Sequence, residues 1–411
     1  MTATELRIVI VGAGHAGGSA AAFLRQFGHT GPLTVIGTEP HLPYQRPPLS
    51  KAYLKGAAGK ETLLLRQAAY YADRDVTMLT GTTVVSIDAA NRTLATDDGQ
   101  SFDYDILILA TGSTARRLPV PGAELGGVHH LRDIADADAL KGMLAPGKRL
   151  AIIGGGYVGL EAAASAILLG ASAVIIEREA RLLARVAAPP LAEFFATYHA
   201  AHGVEIITGA DVVRLEGENG EVLAVILGDG RRIDCDAALV GIGGQACDAL
   251  ALSAGIACDN GVVVDEDGRT GDPHIYAMGD MTRRPLPLDD NRMHRLESVP
   301  NAIEQARRVA NAILGLPQPA HEVPWFWSDQ FDIKLQIAGV PFDTDRIVMR
   351  GDPAAAKFAL YHLRGRQVRA VEAVNSIPDF MGGKALIAKG REVDPERLAD
   401  MSVTVKSLLS D

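Results

Sequence analysis

The chain has 411 residues, too many for one compact domain, and its 47% hydrophobic and 22% charged residues describe an ordinary globular protein. A formal net charge of −10 argues against nucleic acid or an anionic membrane as a partner. The N-terminal sequence lacks the pattern of a signal peptide, and no apolar run approaches about 18 residues, so we expect a cytoplasmic protein.

The first predicted element is a strand that runs into a glycine-rich turn and then a helix, in the sequence "LRIVIVGAGHAGGSAAAFL". Its glycines, Gly12, Gly14 and Gly17, have the GxGxxG spacing of a dinucleotide-binding turn. The first glycine permits a tight turn, the second lets backbone approach a pyrophosphate, and the third lets helix and strand pack closely. The sequence therefore predicts one dinucleotide site here.

The strand "LTVIG" follows, and after it come Thr38 and Glu39. The acid falls later than the usual spacing, so we expect this first unit to bind FAD, with the ribose contact left open between Thr38 and Glu39. Two later strands support this choice. "YDILILATGS" ends in the small residues Ala110, Thr111 and Gly112, and "TGDPHIYAMGD" ends in an aspartate.

That aspartate, Asp280, can accept hydrogen bonds from the ribityl hydroxyls of a flavin. An ordinary turn with a solvated aspartate is the alternative interpretation.

A second unit repeats the plan in "RLAIIGGGYVGLEAAASAILLG", with Gly154, Gly156 and Gly159. The next strand ends at Glu177, a suitable distance on for a carboxylate that hydrogen-bonds an adenosine ribose and repels the 2′-phosphate of NADP. We therefore expect NADH. The nearby Arg178 and Arg181 would suit a 2′-phosphate, so NADPH remains the alternative.

The three cysteines, Cys235, Cys247 and Cys258, have no CxxC spacing and form an odd count. This argues against a disulfide framework or a zinc site, and we expect small buried side chains. His199 and His202 have helical i, i+3 spacing without a cysteine or carboxylate partner, so we expect a partly exposed pair and no metal. No iron-sulfur cysteine pattern is present.

Five motifs in order resemble the NADH-dependent ferredoxin reductases of bacterial Rieske dioxygenases and cytochromes P450, the putidaredoxin reductase and biphenyl dioxygenase ferredoxin reductase family. They are "YQRPPLSKAYL", "GGGYVGLEAAA", "RVAAPPLAEFF", "ESVPNAIEQAR" and "PWFWSDQ", and the resemblance covers nearly the whole chain. It implies an α/β fold with two Rossmann-like dinucleotide-binding domains, one for FAD and one for NAD, and a C-terminal α+β domain with an antiparallel sheet.

The order of motifs predicts the domain boundaries. A discontinuous FAD-binding domain comprises residues 1–113 and 244–320, an NAD-binding domain fills 114–243, and the C-terminal domain covers 321–411. The alternation that starts at Ile333 predicts antiparallel strands in that last domain.

The segment "YQRPPLSK" stands where a flavin-dependent disulfide reductase would carry a redox-active cysteine pair, and it contains no cysteine. The resemblance implies that this segment holds FAD through Arg46 and Lys51. Without an internal thiol, the electrons must leave for another protein, which the resemblance implies is a [2Fe-2S] ferredoxin. Peroxidases and disulfide reductases that use a cysteine are disfavoured by the same absence.

The resemblance also implies the roles of individual residues. Its catalytic candidates are Lys51, Glu161, Glu297 and Trp327; the alternatives are a charge at a helix N-terminus for Glu161, a solvated loop acid for Glu297 and simple packing for Trp327. The cofactor-binding candidates are Gly12, Gly14, Ala16, Gly17, Thr38, Glu39, Arg46, Lys51, Val84, Ala110, Thr111, Gly112, Arg132, Asp280, Val299, Gly154, Gly156, Tyr157, Val158, Gly159, Glu161, Glu177, Gly241, Ile242, Gly243 and Trp327.

A helix is predicted just after Ser298, Val299 and Pro300, and its positive N-terminal end would stabilise negative charge on a reduced flavin if it points there as in the family. Periodicity assigns one face to the core and another, polar face to the surface. The core face is Ala302, Ile303, Ala306, Val309, Ala310 and Ile313. The polar face is Glu304, Arg307, Arg308 and Asn311.

Because ferredoxins of this kind are generally acidic and this chain is itself net negative, docking requires a local basic patch. Our candidates are Arg307, Arg308 and Lys334, against the alternative of solvated surface charges.

The leading hypothesis is an FAD-containing NADH:ferredoxin oxidoreductase that serves a cytochrome P450 or Rieske-type oxygenase. One alternative is an NADH oxidase or small-acceptor reductase of the same fold, such as a monodehydroascorbate reductase. Another is a redox-sensing flavoprotein that resembles the apoptosis-inducing factor. The loop "GQACDAL" departs from the family where relatives have proline and asparagine, which leaves its contacts open.

Overall fold

A computed structural model describes residues 2–409 of the protein. The chain divides into two compact units. The first unit contains the residues up to Gln45, Leu63–Thr114 and Gln245–Phe326. The second contains Arg46–Thr62, Ala115–Gly244 and the residues from Trp327 onward.

The secondary structure alternates strands and helices through much of the chain. The strands are β1 Ile8–Val11, β2 Leu33–Gly37, β3 Val76–Thr80, β4 Val84–Asp88, β5 Thr93–Thr96, β6 Ser101–Asp103, β7 Ile106–Leu109, β8 Ser113–Ala115, β9 Val128–His129, β10 Arg149–Ile153, β11 Ser172–Ile176, β12 Glu205–Ile207, β13 Val212–Glu218, β14 Glu221–Leu227, β15 Arg232–Asp234, β16 Ala237–Val240, β17 Gly244–Ala246, β18 Val262–Val263, β19 Ile275–Ala277, β20 Thr282–Leu286, β21 Arg292–His294, β22 Trp325–Gln330, β23 Ile333–Gly339, β24 Arg346–Asp352, β25 Lys357–Arg364 and β26 Gln367–Val374. The helices are α1 His15–Gln26, α2 Lys60–Leu63, α3 Ala68–Ala72, α4 Ile134–Met143, α5 Tyr157–Leu168, α6 Pro189–Ala201, α7 Ala249–Ser253, α8 Val299–Leu314, α9 Ile377–Ala388 and α10 Pro395–Ala399. Short 3-10 helices cover Pro47–Ser50, Pro287–Asp289 and Ser407–Leu409.

The first unit is built on a parallel sheet with the strand order β19-β7-β1-β2-β3. Its central strands, such as "IVIV" in β1 and "ILIL" in β7, are buried along their whole length, as expected for a sheet covered on both faces. Helices α1 and α8 supply apolar residues to the core on one side. The antiparallel sheet β4-β5-β6 and α7 contribute to the core on the other side.

Parallel strands deliver their carboxyl ends to one edge of the sheet. Val11 pairs with Leu109 and Ile36, and Ala277 pairs with Leu109. The segments that follow β1, β2, β7 and β19 therefore meet at that edge, and most of the residues predicted to bind FAD lie in them.

The second unit contains a parallel sheet with the order β12-β11-β10-β16-β9, next to the antiparallel sheet β13-β14-β15. It also contains the C-terminal antiparallel sheet β22-β23-β26-β25-β24. Helix α9 packs closely on this sheet at Gly383, where an added Cβ would lie 2.6 Å from Val371 Cγ1. The predicted fold class is confirmed. Strand β23 begins at Ile333, as predicted, and β22 precedes it in the same sheet.

Two expectations for α8 are wrong. Ile303, assigned to the core, is 37% exposed, and Glu304, Arg308 and Asn311, assigned to a polar surface, are buried. The reason is that the segment after α8 folds back along the helix: Asn311 Nδ2 donates to the Pro317 carbonyl at 3.0 Å. The polar side chains on this face therefore hydrogen-bond to other segments of the protein.

Other expectations are also revised. His199 is fully buried and not partly exposed, because its ring lies beside Phe195 and Phe331. Cys235 is buried, whereas Cys247 and Cys258 are half-buried. In residues 2–409, no helix is both long and apolar enough to span a membrane.

Candidate functional site

The glycine turn of the first unit has the shape that a dinucleotide requires. Gly12 has a φ of +114°, and a Cβ at this position would lie 2.2 Å from the Ala110 carbonyl oxygen. A Cβ at Gly17 would lie 1.9 Å from the Gly12 carbonyl oxygen. At Gly14, by contrast, a Cβ would meet nothing within 4 Å, so the backbone here is open to a ligand.

Helix α1 begins directly at this open position. Its N-cap residue is Gly14, which provides no side-chain hydrogen bond, and its first turn has no acidic residue. The helix dipole favours a negative ligand at this end, and no acidic side chain of the first turn opposes it. Gly12, Gly14 and Gly17 thus fit the pyrophosphate of FAD.

The candidates after β2 lie beside the start of β4. The Gly81 amide donates to the Glu39 carbonyl at 2.9 Å, which brings the segment before Val84 next to the end of β2. Glu39 Oε2 accepts a hydrogen bond from the Tyr44 hydroxyl at 2.5 Å, while Thr38 is exposed. Glu39 is therefore held in place by a neighbour, and Thr38 faces solvent.

Asp280 follows β19 and lies close to the end of β7. Ser113 Oγ donates to Asp280 Oδ2 at 3.4 Å. Next to it, Gly279 has a φ of +83°, and a Cβ there would lie 3.1 Å from Ala16 Cβ. Asp280, Ala16 and the β7 end, which are far apart in sequence, therefore share one edge of the sheet.

Thr111 is fixed in the same region. Its Oγ1 donates to the Cys247 carbonyl at 2.6 Å, so the loop "GQACDAL" is anchored beside the residues that follow β7. Gly112 has a φ of +70°, a left-handed conformation that glycine adopts without strain.

The start of α8 and the residues just before it also belong to the first unit. Ser298 is the N-cap, with its Oγ accepting from the Asn301 amide at 3.2 Å, and Val299 begins the helix. Glu297 is exposed and forms an ion pair with Arg295, and Arg295 Nη1 also donates to the Asp280 carbonyl at 3.2 Å. Arg295, which the sequence did not single out, thus links Glu297 to Asp280.

The second glycine turn repeats the geometry of the first. Gly154 has a φ of +112°, and its added Cβ would lie 2.4 Å from the Gly241 carbonyl oxygen. A Cβ at Gly159 would lie 2.3 Å from the Gly154 carbonyl oxygen, and at Gly156 nothing lies within 4 Å. Helix α5 begins at Tyr157 with no side-chain cap. This turn therefore fits a second pyrophosphate, that of a nicotinamide dinucleotide.

Residues around this turn complete the second site. The Tyr157 hydroxyl donates to the Val186 carbonyl at 3.3 Å, and burial raises the pKa of this tyrosine well above its usual range. Val158 is exposed, as it would be beside an open ligand site. Ile242 is half-buried against the core, and Gly243 has a φ of +110°.

Glu177 follows β11 and bonds to the glycine turn itself. Its Oε2 accepts from the Gly155 amide at 2.6 Å, and its Oε1 accepts from the Glu179 amide at 2.8 Å. Of the two nearby arginines, Arg181 is occupied by the carbonyls of Ala184 and Ala187. Arg178 is exposed and pairs with Glu179 at 3.1 Å.

Lys51 and Glu161 are brought together in the second unit. Lys51 Nζ lies 2.6 Å from Glu161 Oε2, and the two side chains are only 15% and 6% exposed. Ser50 Oγ donates to the same oxygen at 2.5 Å. Glu161 is thus a buried carboxylate with a cationic partner, not a simple charge at a helix end.

Arg46 and Arg132, two further candidates, also lie together in this unit. Arg46 Nη1 donates to the Arg132 carbonyl at 2.8 Å, and the Arg132 amide donates to Asp136 Oδ2 at 2.8 Å. The segment "RPPLSK" is therefore fixed at both ends, by Arg46 and by Lys51.

A second hydroxyl reaches Glu161, from β22. Ser328 Oγ donates to Glu161 Oε1 at 2.6 Å, and Gln330 Nε2 donates to Ser328 Oγ at 3.0 Å. Sequence reasoning missed these two residues, although their alternation with Trp327 places them on one face of the strand. Trp327 itself is half-buried on the opposite face.

Two of the three docking candidates are exposed. Arg307 and Lys334 lie at the surface. The prediction that Arg308 takes part in docking is wrong, because the residue is only 3% exposed. Its guanidinium donates to the carbonyls of Glu266 and Pro319 and to Asp267 Oδ1.

Within residues 2–409, no disulfide links Cys235, Cys247 or Cys258. Burial raises the pKa of Cys235 to about 11 and also raises that of Cys258, which disfavours a reactive thiolate at either position.

Comparison with known proteins covers the whole chain. Residues 6–306 match the pyridine nucleotide-disulphide oxidoreductase family, and residues 325–409 match the reductase C-terminal family. A probable ferredoxin reductase, CtmF, from Castellaniella defragrans is 48% identical over 408 residues, which span 99% of this chain and 100% of the relative. Putidaredoxin reductase CamA from Pseudomonas putida is 40% identical over 408 residues, which span 98% and 96% of the two chains.

A solved structure has the same fold. The crystal structure of the covalent putidaredoxin reductase-putidaredoxin complex matches with a TM-score of 0.96 and 39% identity, covering 98% of each chain. The family predicted from the five motifs is therefore confirmed. The chain belongs to the pyridine nucleotide-disulphide oxidoreductase family of FAD- and NAD(P)H-dependent enzymes, with a reductase C-terminal domain.

Proposed function

We propose that the protein is an FAD-containing NADH:ferredoxin oxidoreductase that delivers single electrons to a [2Fe-2S] ferredoxin serving a cytochrome P450 or Rieske-type oxygenase. One observation carries the proposal: two equivalent glycine turns, each open at its second glycine, occur in a chain whose residues 44–51 provide serine and lysine in place of cysteine. Two relatives that match this chain over nearly its full length, one named as a probable ferredoxin reductase and one as a putidaredoxin reductase, support the same conclusion.

When bound, FAD accepts a hydride from NADH and passes on the two electrons one at a time. In the first unit, we propose that the α1 turn holds the pyrophosphate and that Asp280 holds the ribityl chain. Thr38 or Glu39 would contact the adenosine ribose. The other proposed FAD contacts in this unit are Ala16, Val84, Ala110, Thr111, Gly112 and Val299.

In the second unit, we propose that Arg46, Lys51, Arg132 and Trp327 also serve FAD. For NADH, the α5 turn would hold the pyrophosphate. Glu177 would accept hydrogen bonds from the adenosine ribose and repel a 2′-phosphate. Tyr157, Val158 and residues 241–243 would line this site.

Glu161 and Glu297 are proposed as the groups that orient the nicotinamide. The hydride step needs no general base, so the protein acts through position and electrostatics. A carboxylate can accept a hydrogen bond from the carboxamide of nicotinamide. The Lys51 ion pair supports this role for Glu161, because it keeps a charged acceptor inside the protein.

We also retain the three-domain division, with an FAD-binding domain of residues 1–113 and 244–320, an NAD-binding domain of 114–243 and a C-terminal domain of 321–411. The reductase C-terminal match over residues 325–409 supports the last boundary. We propose a cytoplasmic location, where NADH and the ferredoxin would both be available. Arg307 and Lys334 are the proposed docking residues for that ferredoxin.

Stopped-flow kinetics test the function. The protein is reduced with NADH under anaerobic conditions and then mixed with a [2Fe-2S] ferredoxin or with oxygen. Fast transfer to ferredoxin and slow reaction with oxygen are expected. Rapid oxygen consumption without ferredoxin reduction would instead indicate an NADH oxidase, and a persistent complex that transfers to neither would indicate a redox sensor.

A further inference from the structure

A chain of buried hydrogen bonds extends from Glu161 to helix α6. Ser328 Oγ bonds to Glu161 Oε1 at 2.6 Å, Gln330 Nε2 to Ser328 Oγ at 3.0 Å, and Gln330 Oε1 to His199 Nε2 at 2.8 Å. All four side chains are buried. The residues come from α5, β22 and α6, so the contacts depend on the folded chain.

The direction of every hydrogen bond follows from the carboxylate at one end. Glu161 pairs with Lys51 as an ionised acceptor, so Ser328 must give it its single hydroxyl proton. Ser328 can then only accept from Gln330, which turns the amide NH2 toward the serine and the amide carbonyl toward His199. His199 must therefore carry its proton on Nε2, and all the donors point toward Glu161.

His199, at the far end of this chain of hydrogen bonds, is fixed and neutral. His199 Nδ1 has no hydrogen-bond partner within residues 2–409, and the ring is fully buried. Burial lowers the pKa of His199 from 6.5 to about 4, against the opposing effect of the Gln330 bond, so the ring is uncharged at neutral pH. The chain cannot serve as a proton exit, because a proton would have to pass through the Gln330 amide.

The two oxygens of Glu161 are held by different segments. Lys51 and Ser50 bind Oε2 from the segment 46–62, whereas Ser328 binds Oε1 from β22. The terminal torsion of a glutamate is broad, so one cation alone would not fix the carboxylate plane. Contacts to both oxygens do fix it.

We propose that Ser328, Gln330 and His199 are positioning residues that hold the Glu161 carboxylate in one orientation for the nicotinamide. The orienting role toward nicotinamide depends on the proposed function; the effect on the carboxylate does not. Ser328 acts directly on Glu161, and Gln330 and His199 act through Ser328.

Infrared spectroscopy of the FAD-loaded protein tests the proposal. The carboxylate stretching bands of Glu161 are isolated by subtracting the spectrum of the matching Glu161→Gln variant. In Ser328→Ala, these bands should shift from their native frequencies, because a hydrogen bond to one carboxylate oxygen is lost. Ser328→Thr keeps the hydroxyl and should restore the native frequencies.

Ser165 provides a matched control. It is also a buried serine, but its Oγ donates to the Ser50 carbonyl at 2.7 Å and not to Glu161. Ser165→Ala should leave the Glu161 bands unchanged. Unchanged bands in Ser328→Ala, or an equal shift in Ser165→Ala, would overturn the proposal.

A double-mutant cycle tests the order of the chain. Gln330→Met keeps the side-chain volume and should shift the Glu161 bands in the same direction as Ser328→Ala, by about half as much. In a protein that already carries Ser328→Ala, the Gln330→Met change should have no further effect, since Gln330 acts through Ser328. Equal effects in both backgrounds would remove Gln330 and His199 from the proposal. Gln330→Met also gives a reading if Ser328→Ala does not fold.

Binding of NAD⁺ to the same variants measures the orienting role. Ser328→Ala should weaken NAD⁺ binding about tenfold with full FAD content, and Ser165→Ala should not. Normal NAD⁺ binding despite shifted carboxylate bands would overturn the orienting role alone. Failure of the native protein to reduce ferredoxin would overturn the proposed function and leave the infrared result intact, so the two failures can be told apart.

Discussion

Glu177 Oε2 accepts a hydrogen bond from the Gly155 amide at 2.6 Å, which fixes the carboxylate against the glycine turn of the second unit. Of the two arginines that follow it, Arg181 is occupied by backbone carbonyls, and Arg178 is exposed and pairs with Glu179. A carboxylate is therefore fixed beside the turn, and both of these arginines already have partners. This arrangement favours a dinucleotide with an unmodified ribose.

We predict that kcat/KM for NADH exceeds that for NADPH by at least about tenfold and that Glu177→Ala narrows the ratio. The loss of the carboxylate removes both the ribose acceptor and the repulsion of a 2′-phosphate. Steady-state kinetics with both coenzymes provide the measurement. Glu205→Ala is the control, because it removes an exposed charge from the neighbouring strand β12. Equal use of both coenzymes by the native protein would contradict the assignment.

Flavin retention tests the assignment of Asp280. Alanine at Asp280, Arg46 or Lys51 should weaken FAD binding by about 1 to 3 kcal/mol, because each change removes a charge-assisted hydrogen bond. The flavin absorbance that remains after dialysis gives the readout. Asp259→Ala, which removes an exposed partner of Arg283, should retain its flavin. Full occupancy in dialysed Asp280→Ala would exclude the ribityl role.

Ferredoxin docking should depend on local charge. Arg307→Glu, alone or with Lys334→Glu, should slow ferredoxin reduction at low salt and flatten its ionic-strength dependence, since exposed charges act mainly on association. Reduction of the flavin by NADH should stay within about twofold of the native rate. Arg214→Glu, a charge reversal on β13, is the control. Unchanged ferredoxin kinetics in the double variant would exclude both residues from the docking site.

Alanine substitutions at the adjacent residues Arg307 and Arg308 should differ in their effect on the stability of the protein. Arg308 is buried and bonds to two carbonyls and Asp267, so Arg308→Ala should lower the free energy of unfolding by about 2 to 4 kcal/mol. Arg307→Ala should change it by less than about 0.5 kcal/mol, because the residue is exposed. Urea unfolding compares the two, and similar values would show that Arg308 is not held as described.

His199 should make stability depend on pH. Its pKa is lowered from 6.5 to about 4, chiefly by burial, so the folded protein binds a proton less tightly than the unfolded chain. The stability is complete above about pH 6.5 and is lost as the pH falls toward 4, with about 2 kcal/mol lost between pH 7 and pH 5. His199→Phe should flatten that fall in urea unfolding. The same slope in both proteins would argue against a buried neutral histidine.

Much of the fold could be predicted because it depends on local spacing. A dinucleotide-binding turn needs one glycine with positive φ and, at a fixed spacing, another against which a carbonyl packs. Both turns could therefore be identified from the amino-acid sequence alone. The carboxyl ends of the parallel strands in one sheet meet at the same edge of that sheet. This rule also predicted the positions of Ala110 and Asp280 in the first unit and of Gly241 in the second.

The surface of α8 could not be predicted in the same way. Periodicity separates polar from apolar residues, but it does not tell which polar residues are covered by another segment. The chain after Leu314 folds back and takes up the hydrogen bonds of Arg308 and Asn311. Arg308 therefore differs from its neighbour Arg307 for a reason that lies outside the helix.

The sequence by itself determined the two dinucleotide turns, the absence of a cysteine pair in residues 44–51, and through its motifs the family. The tertiary structure alone decided what surrounds Glu161. Ser50 is 111 residues away from it and Ser328 is 167 residues away, yet both bond to its carboxylate. No local pattern relates such distant residues, because their meeting depends on how whole strands and helices pack and not on the spacing of neighbours along the chain.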